Sequence, residues 1–268
     1  MTRPPRPAGT VVFDLDGVLY IDSEGVPGAR DALEACMDAG WRPLYATNNS
    51  TKTAAIVVRH IEERTGFRAD PRGAVTSAMS AARHVASIGR DALIVGSDAI
   101  GDELVARGVR VVDHNSPRAG RPDAVVVGLD RAISYERIDR AARAIRAGSA
   151  FIATNIDTTY PTPTGLAPGA GTIVAAIAAA SGVEPIDCGK PTEHFGSLIV
   201  DMIGPGPVVM VGDRPETDIA LGIAYGWTTV LVLTGVTSSV EGIPGSYTPD
   251  HVIASVADLP ALLASIGG

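Results

Sequence analysis

Short apolar, β-branched runs alternate with longer segments of helical periodicity along almost the whole chain, and that alternation limits the architectures open to it. Strand candidates fall near 10–14, 42–47, 92–96, 109–112, 123–128, 149–154, 207–212 and 228–233, each bounded by Gly, Pro, Asp or Asn. Helix candidates fall between them, near 28–39, 52–65, 76–88, 98–107, 134–147, 171–181, 192–203, 216–225 and 256–265. Repeated βα units of this kind predict an α/β fold, a Rossmann-like, doubly wound parallel sheet with helices on both faces. The apolar run GTIVAAIAAASG at 171–182 is too short for a membrane span and is expected to be a buried helix.

Open parallel sheets bind ligands at the carboxyl ends of their strands, so the chemistry is sought there. The first strand closes in FDLDG, with Asp14 and Asp16 one residue apart and Gly17 positioned for a sharp turn. Were the strand to continue, both carboxylates would project to one side, where like charges repel unless something positive joins them. A second strand ends at Thr47 and runs into Asn48, Asn49, Ser50 and Thr51 just before a helix. Hydroxyls and free N–H groups at a helix start can hold an anion, although plain N-capping is the better explanation of this cluster when it stands alone. Lys190 stands between Gly189 and Pro191 in IDCGKPT. VVMVGDRPETD closes a continuous apolar run with Asp213, and Asp218 follows near the first turn of a helix. Helix-dipole pairing accounts for Asp218 but not for Asp213 at the mouth of a buried strand. Carboxylates, a hydroxyl and an ammonium without histidine form an oxygen-rich set that suits Mg²⁺ and a substrate phosphate.

The composition narrows the partners. The 268 residues are 46% hydrophobic and 19% charged with a net charge of −8, which describes a globular protein and argues against a sequence-independent nucleic-acid binder. No run approaches the roughly 18 apolar residues that span a bilayer, so no membrane insertion is expected and the chain is read as cytoplasmic. The first nine residues, rich in Pro and Arg, are expected to be a flexible leader. Cys36 and Cys188 lie far apart in apolar surroundings and do not imply a disulfide framework, and the scattered histidines do not suggest zinc.

Taken in order, FDLDG, TNN, GKP and GDRPETD resemble the four motifs of the haloacid dehalogenase superfamily of Mg²⁺-dependent phosphohydrolases. The resemblance runs from about Val11 to Leu233. It implies that Asp14 is the nucleophile, forming an aspartyl-phosphate, and that Asp16 protonates the leaving alcohol and then activates water. It further implies that Thr47 hydrogen-bonds the phosphoryl group and that Lys190 neutralises its charge. Asp14, the backbone carbonyl of Asp16, Asp213 and Asp218 would hold Mg²⁺, Asp218 directly or through water. A second carboxylate at position 16 separates the chain from the dehalogenase branch.

The spacing between motifs indicates a second domain. Only 33 positions lead from Asp14 to Thr47, but 143 lead from Thr47 to Lys190, too many for a loop. An α/β cap is therefore expected at 76–186, with the hydrolase core at 10–75 and 187–268. This arrangement resembles the subgroup that includes para-nitrophenyl, phosphoglycolate, glycerol-phosphate and pyridoxal-phosphate phosphatases, whose caps often dimerise. A homodimer through the cap is the corresponding expectation. FIATNIDTTYPT makes Asn155, Asp157 and Tyr160 candidate substrate contacts, together with Asn48 and Asn49.

Other patterns carry less. CMDAGWR matches Cys-x₅-Arg, but Cys36 falls on the apolar face of a helix stopped by Gly40. GKPT lacks the residues a Walker loop needs, and GAGTIV lacks the third glycine of a dinucleotide fingerprint. The expected activity is hydrolysis of phosphate monoesters of small metabolites. A phosphotransferase, or a phosphometabolite-binding protein on the same fold, is the alternative.

Overall fold

The computed structural model describes residues 8–113, 121–162 and 165–266. The expected leader at 1–9 therefore lies outside the described residues except for its last two. The chain divides into two compact units, one made of Met1–Thr47, Ala54–Val75 and Gly196–Gly268, the other of Asn48–Thr53 and Thr76–Phe195.

Strand β1 (Gly9–Phe13) is followed by the two-residue strands β2 (Tyr20–Ile21) and β3 (Glu24–Gly25), helix α1 (Ala29–Asp38), β4 (Trp41–Thr47), α2 (Ala54–Thr65) and β5 (Ala74–Thr76). Next come α3 (Ser77–Ile88), β6 (Asp91–Val95), α4 (Asp98–Ala106), β7 (Arg110–Val111), β8 (Ala124–Val127), α5 (Tyr135–Arg146) and β9 (Ala150–Ala153). A hairpin of β10 (Thr159–Thr162) and β11 (Gly165–Pro168) precedes α6 (Ala170–Ser181), β12 (Ile186–Asp187) and α7 (Glu193–Val200). The chain continues through β13 (Val208–Gly212), α8 (Ala220–Ala224), β14 (Thr228–Val232), β15 (His251–Ile253) and α9 (Leu259–Ile266).

In the first unit the sheet order is β15-β14-β13-β1-β4-β5, and β1 pairs in parallel with both β13 and β4. All five residues of β1 and all five of β13 are buried, as expected of central strands covered on both faces. The pleat sends Val11, Phe13, Val209 and Val211 into one core layer with Leu33 and Cys36 of α1 and Leu259 and Leu263 of α9. The opposite face carries Met210 and Thr229, and Gly222 lets α8 settle there, since a Cβ at that position would come within 3.2 Å of the Met210 side chain. Gly40, at φ 85, ends α1 as the sequence leads one to expect.

The second unit has its own parallel sheet, ordered β12-β9-β8-β6-β7. Alternate residues divide between two cores. Leu93, Val125 and Phe151 meet α5 and α6, while Ala92, Val126 and Ile152 meet α3 and α4. Helix α6 corrects the expectation of a buried helix: it buries Ile173, Val174 and Ile177 but leaves Ala175, Ala176, Ala179 and Ala180 exposed, because it covers one face of the sheet only. Among the described residues no helix is long and apolar enough to cross a membrane.

Candidate active site

In the first unit, β1, β4 and β13 are neighbours and run the same way, so their carboxyl ends open side by side. Asp14 follows β1, Thr47 ends β4, and Asp213 follows β13. Strand β1 ends at Phe13, one residue before the expected boundary, so Asp14 and Asp16 sit in the connection beyond the strand and not on a shared strand face. Their surroundings differ accordingly: Asp14 is 8% exposed and Asp16 lies open to solvent. The backbone N–H of Asp14 donates to the Val211 carbonyl at 2.8 Å, which ties the residue to the end of β13.

Asp14, Asp213 and Asp218 each offer a carboxylate oxygen within 4.8 Å of the others, and all three are buried. The fold creates this crowding. A π-helical turn at Pro215–Ile219 carries Asp218, whose Oδ2 accepts the Arg214 N–H at 3.1 Å. Gly212 is needed beneath it, because a Cβ there would collide with the Asp218 side chain. Gly17, at φ 87, turns the chain past Asp213, and a Cβ on it would lie 2.5 Å from Asp213 Oδ2. Asp213 Oδ2 also accepts the Val236 N–H at 2.6 Å, and the Thr234 hydroxyl donates to the Gly17 carbonyl at 2.6 Å. Three buried carboxylates held this close repel unless a cation joins them, and an all-oxygen donor set in a glycine-lined cradle fits Mg²⁺. The Asp16 side chain is not part of the trio, and its expected contribution was the backbone carbonyl.

The loop after β14 and Tyr20 are participants that motif reading passed over. Thr234 and Gly235 stand at a strand end like the four motifs, which was the available signal. Burial, with Asp16 and Asp14 nearby, pushes the Tyr20 phenol above its ordinary range, and the Arg64 guanidinium lies 4.5 Å from its ring centre. Tyr20 therefore stays a neutral hydroxyl beside the acidic pair.

In the second unit, Asn48 joins three of the expected residues. Its side-chain amide donates to Asp157 Oδ2 at 3.1 Å and to the Lys190 carbonyl at 3.3 Å, while its Oδ1 accepts the Lys190 N–H at 2.7 Å. The Asn155 amide donates to the Asn48 carbonyl at 2.7 Å, and Asn155 Oδ1 accepts the Asp157 N–H at 3.1 Å. Gly189 is required here, because a Cβ would lie 2.7 Å from that of Asn155 and 3.0 Å from Asn48 Oδ1. Lys190, 4% exposed, is thus a buried ammonium and not surface charge. Asn49 closes a local turn, its Oδ1 accepting both the Thr51 N–H and the Thr51 hydroxyl. Tyr160, on the hairpin, accepts from Arg131 at 3.2 Å. Burial raises the Asp187 carboxyl, with Asp157 adding to the effect.

A doubly wound parallel sheet with buried carboxylates clustered at its central strand ends defines a phosphoryl-transfer enzyme of the Mg²⁺-using kind. The model of the haloacid dehalogenase-like hydrolases matches residues 11–110, and the HAD-hydrolase-like model matches 187–259. D-glycerol 3-phosphate phosphatase of Mycobacterium tuberculosis is 38% identical over 87% of this chain and 65% of its own length. Dihydroxyacetone phosphatase of Corynebacterium glutamicum is 35% identical over 92% of this chain and 88% of its own. The crystal structure of the M. tuberculosis glycerol phosphate phosphatase in complex with magnesium superposes with a TM-score of 0.85 at 35% identity, covering 95% of this chain and 78% of that one. The chain belongs to the haloacid dehalogenase-like hydrolases, among the phosphatases that act on small phosphorylated metabolites with Mg²⁺ as cofactor.

Proposed function

We propose that this phosphatase hydrolyses small phosphate monoesters through an aspartyl-phosphate on Asp14, with three-carbon phosphates such as glycerol 3-phosphate and dihydroxyacetone phosphate as its first candidate substrates. The observation that carries the reading is the buried trio of Asp14, Asp213 and Asp218. The substrate class rests on the names of two relatives 38% and 35% identical to the chain.

Asp14, Asp213 and Asp218 would hold the metal, together with the Asp16 carbonyl. Bound there, Mg²⁺ offsets the repulsion between substrate phosphate and carboxylates. An Asp14 carboxylate oxygen attacks phosphorus, the ester P–O bond breaks, and Asp16 gives its proton to the departing alkoxide. Asp16, now a carboxylate, takes a proton from water, whose oxygen attacks the same phosphorus. Inorganic phosphate leaves and Asp14 is restored. The exposure of Asp16 suits a group that trades protons with alcohol and water. Thr47 donates to the phosphoryl oxygens, and the GKP motif assigns the countercharge to Lys190. Asn48 holds Lys190 in place and is a positioning residue in this scheme. The second unit acts as the cap, with Asn155, Asp157 and Tyr160 as its substrate-facing candidates and a homodimer formed through it. Two buried, unpaired cysteines agree with a reducing, cytoplasmic setting.

Phosphate release from a panel of metabolite monoesters, with Asp14→Asn as control, tests the reading. Mg²⁺-dependent release is expected, with kcat at least about 10³-fold lower in the variant and the fold intact. Substantial turnover by Asp14→Asn would remove Asp14 as nucleophile.

A further inference from the structure

Arg64 is a half-buried cation in the first unit that no carboxylate meets. Among the described residues it forms no ion pair, and its Nη1 is sealed from solvent without a hydrogen-bond partner. It stands in the last turn of α2, where a cation suits the helix dipole, but an exposed one would serve as well. Carboxylates are available on the same helix: Glu62 and Glu63 are exposed, and Glu63 pairs with Arg59 at 3.7 Å. The Arg64 guanidinium lies instead over the Tyr20 ring, 4.5 Å from its centre, an arrangement in which the ring face attracts the charge. The hairpin that carries the ring is seated closely on this turn of helix. A Cβ on Gly25 of β3, which pairs with Tyr20 of β2, would lie 2.4 Å from the Arg64 carbonyl.

Tyr20 in turn holds Asp16. Its N–H donates to the Leu15 carbonyl at 3.3 Å, and its carbonyl accepts the Gly17 N–H at 2.8 Å, so the two bonds bracket Asp16 in a one-residue parallel bridge. Asp16 lies beyond the end of β1 and is open to solvent, whereas Tyr20 is 1% exposed. The direction of the Asp16 backbone is therefore set by Tyr20, and that of Tyr20 by the packing of its ring.

We infer that Arg64 is a positioning residue for Asp16: stacked on Tyr20, it fixes the turn that aims the Asp16 carboxyl at the leaving oxygen. A general acid misplaced by about 1 Å loses much of its effect, so a cation that touches no substrate still bears on the rate. The inference rests on the proposed role of Asp16 as proton donor, and a readout specific to that role tests it. Departure of an alkoxide needs the proton, whereas para-nitrophenolate leaves without it.

The measurement is kcat/KM, which covers the reaction up to departure of the leaving group, for the full chain with Mg²⁺. The two esters are para-nitrophenyl phosphate and glycerol 3-phosphate, or the alkyl ester that the metabolite panel ranks first. Asp16→Asn is expected to lower the alkyl ester about 100-fold or more beyond its effect on the nitrophenyl ester. Arg64→Ala and Tyr20→Leu are each expected to cost the alkyl ester about 10- to 100-fold and the nitrophenyl ester no more than about threefold. Arg64→Lys, which returns a cation to the ring, is expected to recover most of the loss. Arg59→Ala, which removes an exposed cation from the same helix, is expected to change neither rate. Melting curves accompany each variant, and Arg64→Gln, which keeps most of the side chain's bulk, repeats the comparison should the alanine variant melt below the assay temperature. Equal losses on the two esters, or none, in the Arg64 variants while Asp16→Asn separates them would overturn the inference alone. No separation by Asp16→Asn would overturn the assignment of Asp16, and the inference with it.

Discussion

Asp213 shows how much of a candidate metal centre is built by residues with no ligand of their own. Its carboxylate is held by the Val236 N–H, and neither Gly17 nor Gly235 leaves room for a side chain against it. A Cβ at position 235 would lie 2.5 Å from the Asp213 Cβ, forcing the carboxylate away from Asp14 and Asp218. Gly235→Ala is therefore expected to weaken Mg²⁺ binding about 10- to 100-fold, the range seen when groups behind a metal ligand are lost. Melting temperature as a function of Mg²⁺ concentration reads this directly, because a ligand stabilises the fold by RT ln(1 + [L]/Kd). An unchanged Mg²⁺ dependence would mean that Asp213 holds no metal. Asp14 and Asp213 could be found in the sequence because a carboxylate ending a buried apolar run has no bland explanation, whereas Asp218, an ordinary partner of a helix dipole, was reached only through the resemblance of GDRPETD to a family motif. Thr234 and Gly235 had only their place at a strand end to mark them, and the Val236 N–H had nothing, since a backbone donor has no residue identity and one glycine among thirty is silent.

At the scale of elements, the end of β4 does more than cap a helix. Asn48 accepts and donates across 142 positions to Lys190 and donates across 109 to Asp157, so a single side chain fixes the GKP turn. Asn48→Ala removes those bonds inside the second unit, which costs about 1–3 kcal/mol of stability. If Lys190 supplies the phosphate's countercharge, kcat is expected to fall about 10- to 100-fold, the scale of a displaced catalytic donor. Steady-state kinetics beside chemical unfolding would distinguish the two: lost stability with unchanged kcat would make Asn48 a structural link alone. The sequence suggested Asn48 and Asn49 as anion donors, and the long-range bonding of Asn48 could not be read there, because nothing local marks a partner a hundred residues away. The long helices and central strands were legible through their periodicity. Strands β2, β3, β5 and β15 were not, being two or three residues long, and the β10–β11 hairpin was hidden by Pro161 and Pro168, which ordinarily interrupt strands.

For the whole molecule, each unit has a cysteine sealed into its core, and together they tie stability to pH. Burial pushes the Cys36 thiol from 9.0 up to about 11 and that of Cys188 from 9.0 up to about 12. In the unfolded chain both ionise near 9.0, so above that value the unfolded state binds fewer protons than the folded one and stability falls as pH rises. The loss is absent below pH 9 and grows by at most about 1.4 kcal/mol per pH unit for each thiol until the folded values are reached. Tyr20 and Tyr45, also raised by burial, add to it in the same direction at higher pH. Melting temperature is thus expected to be level from neutral pH to about 8.5 and to descend between about 9 and 11, with both thiols inert to iodoacetamide in the native protein at pH 8. A Cys36→Ala, Cys188→Ala variant gives up some packing at neutral pH but is expected to descend less steeply. A descent as steep as that of the unaltered protein would assign the alkaline loss to other groups and leave the buried thiols without a part in it.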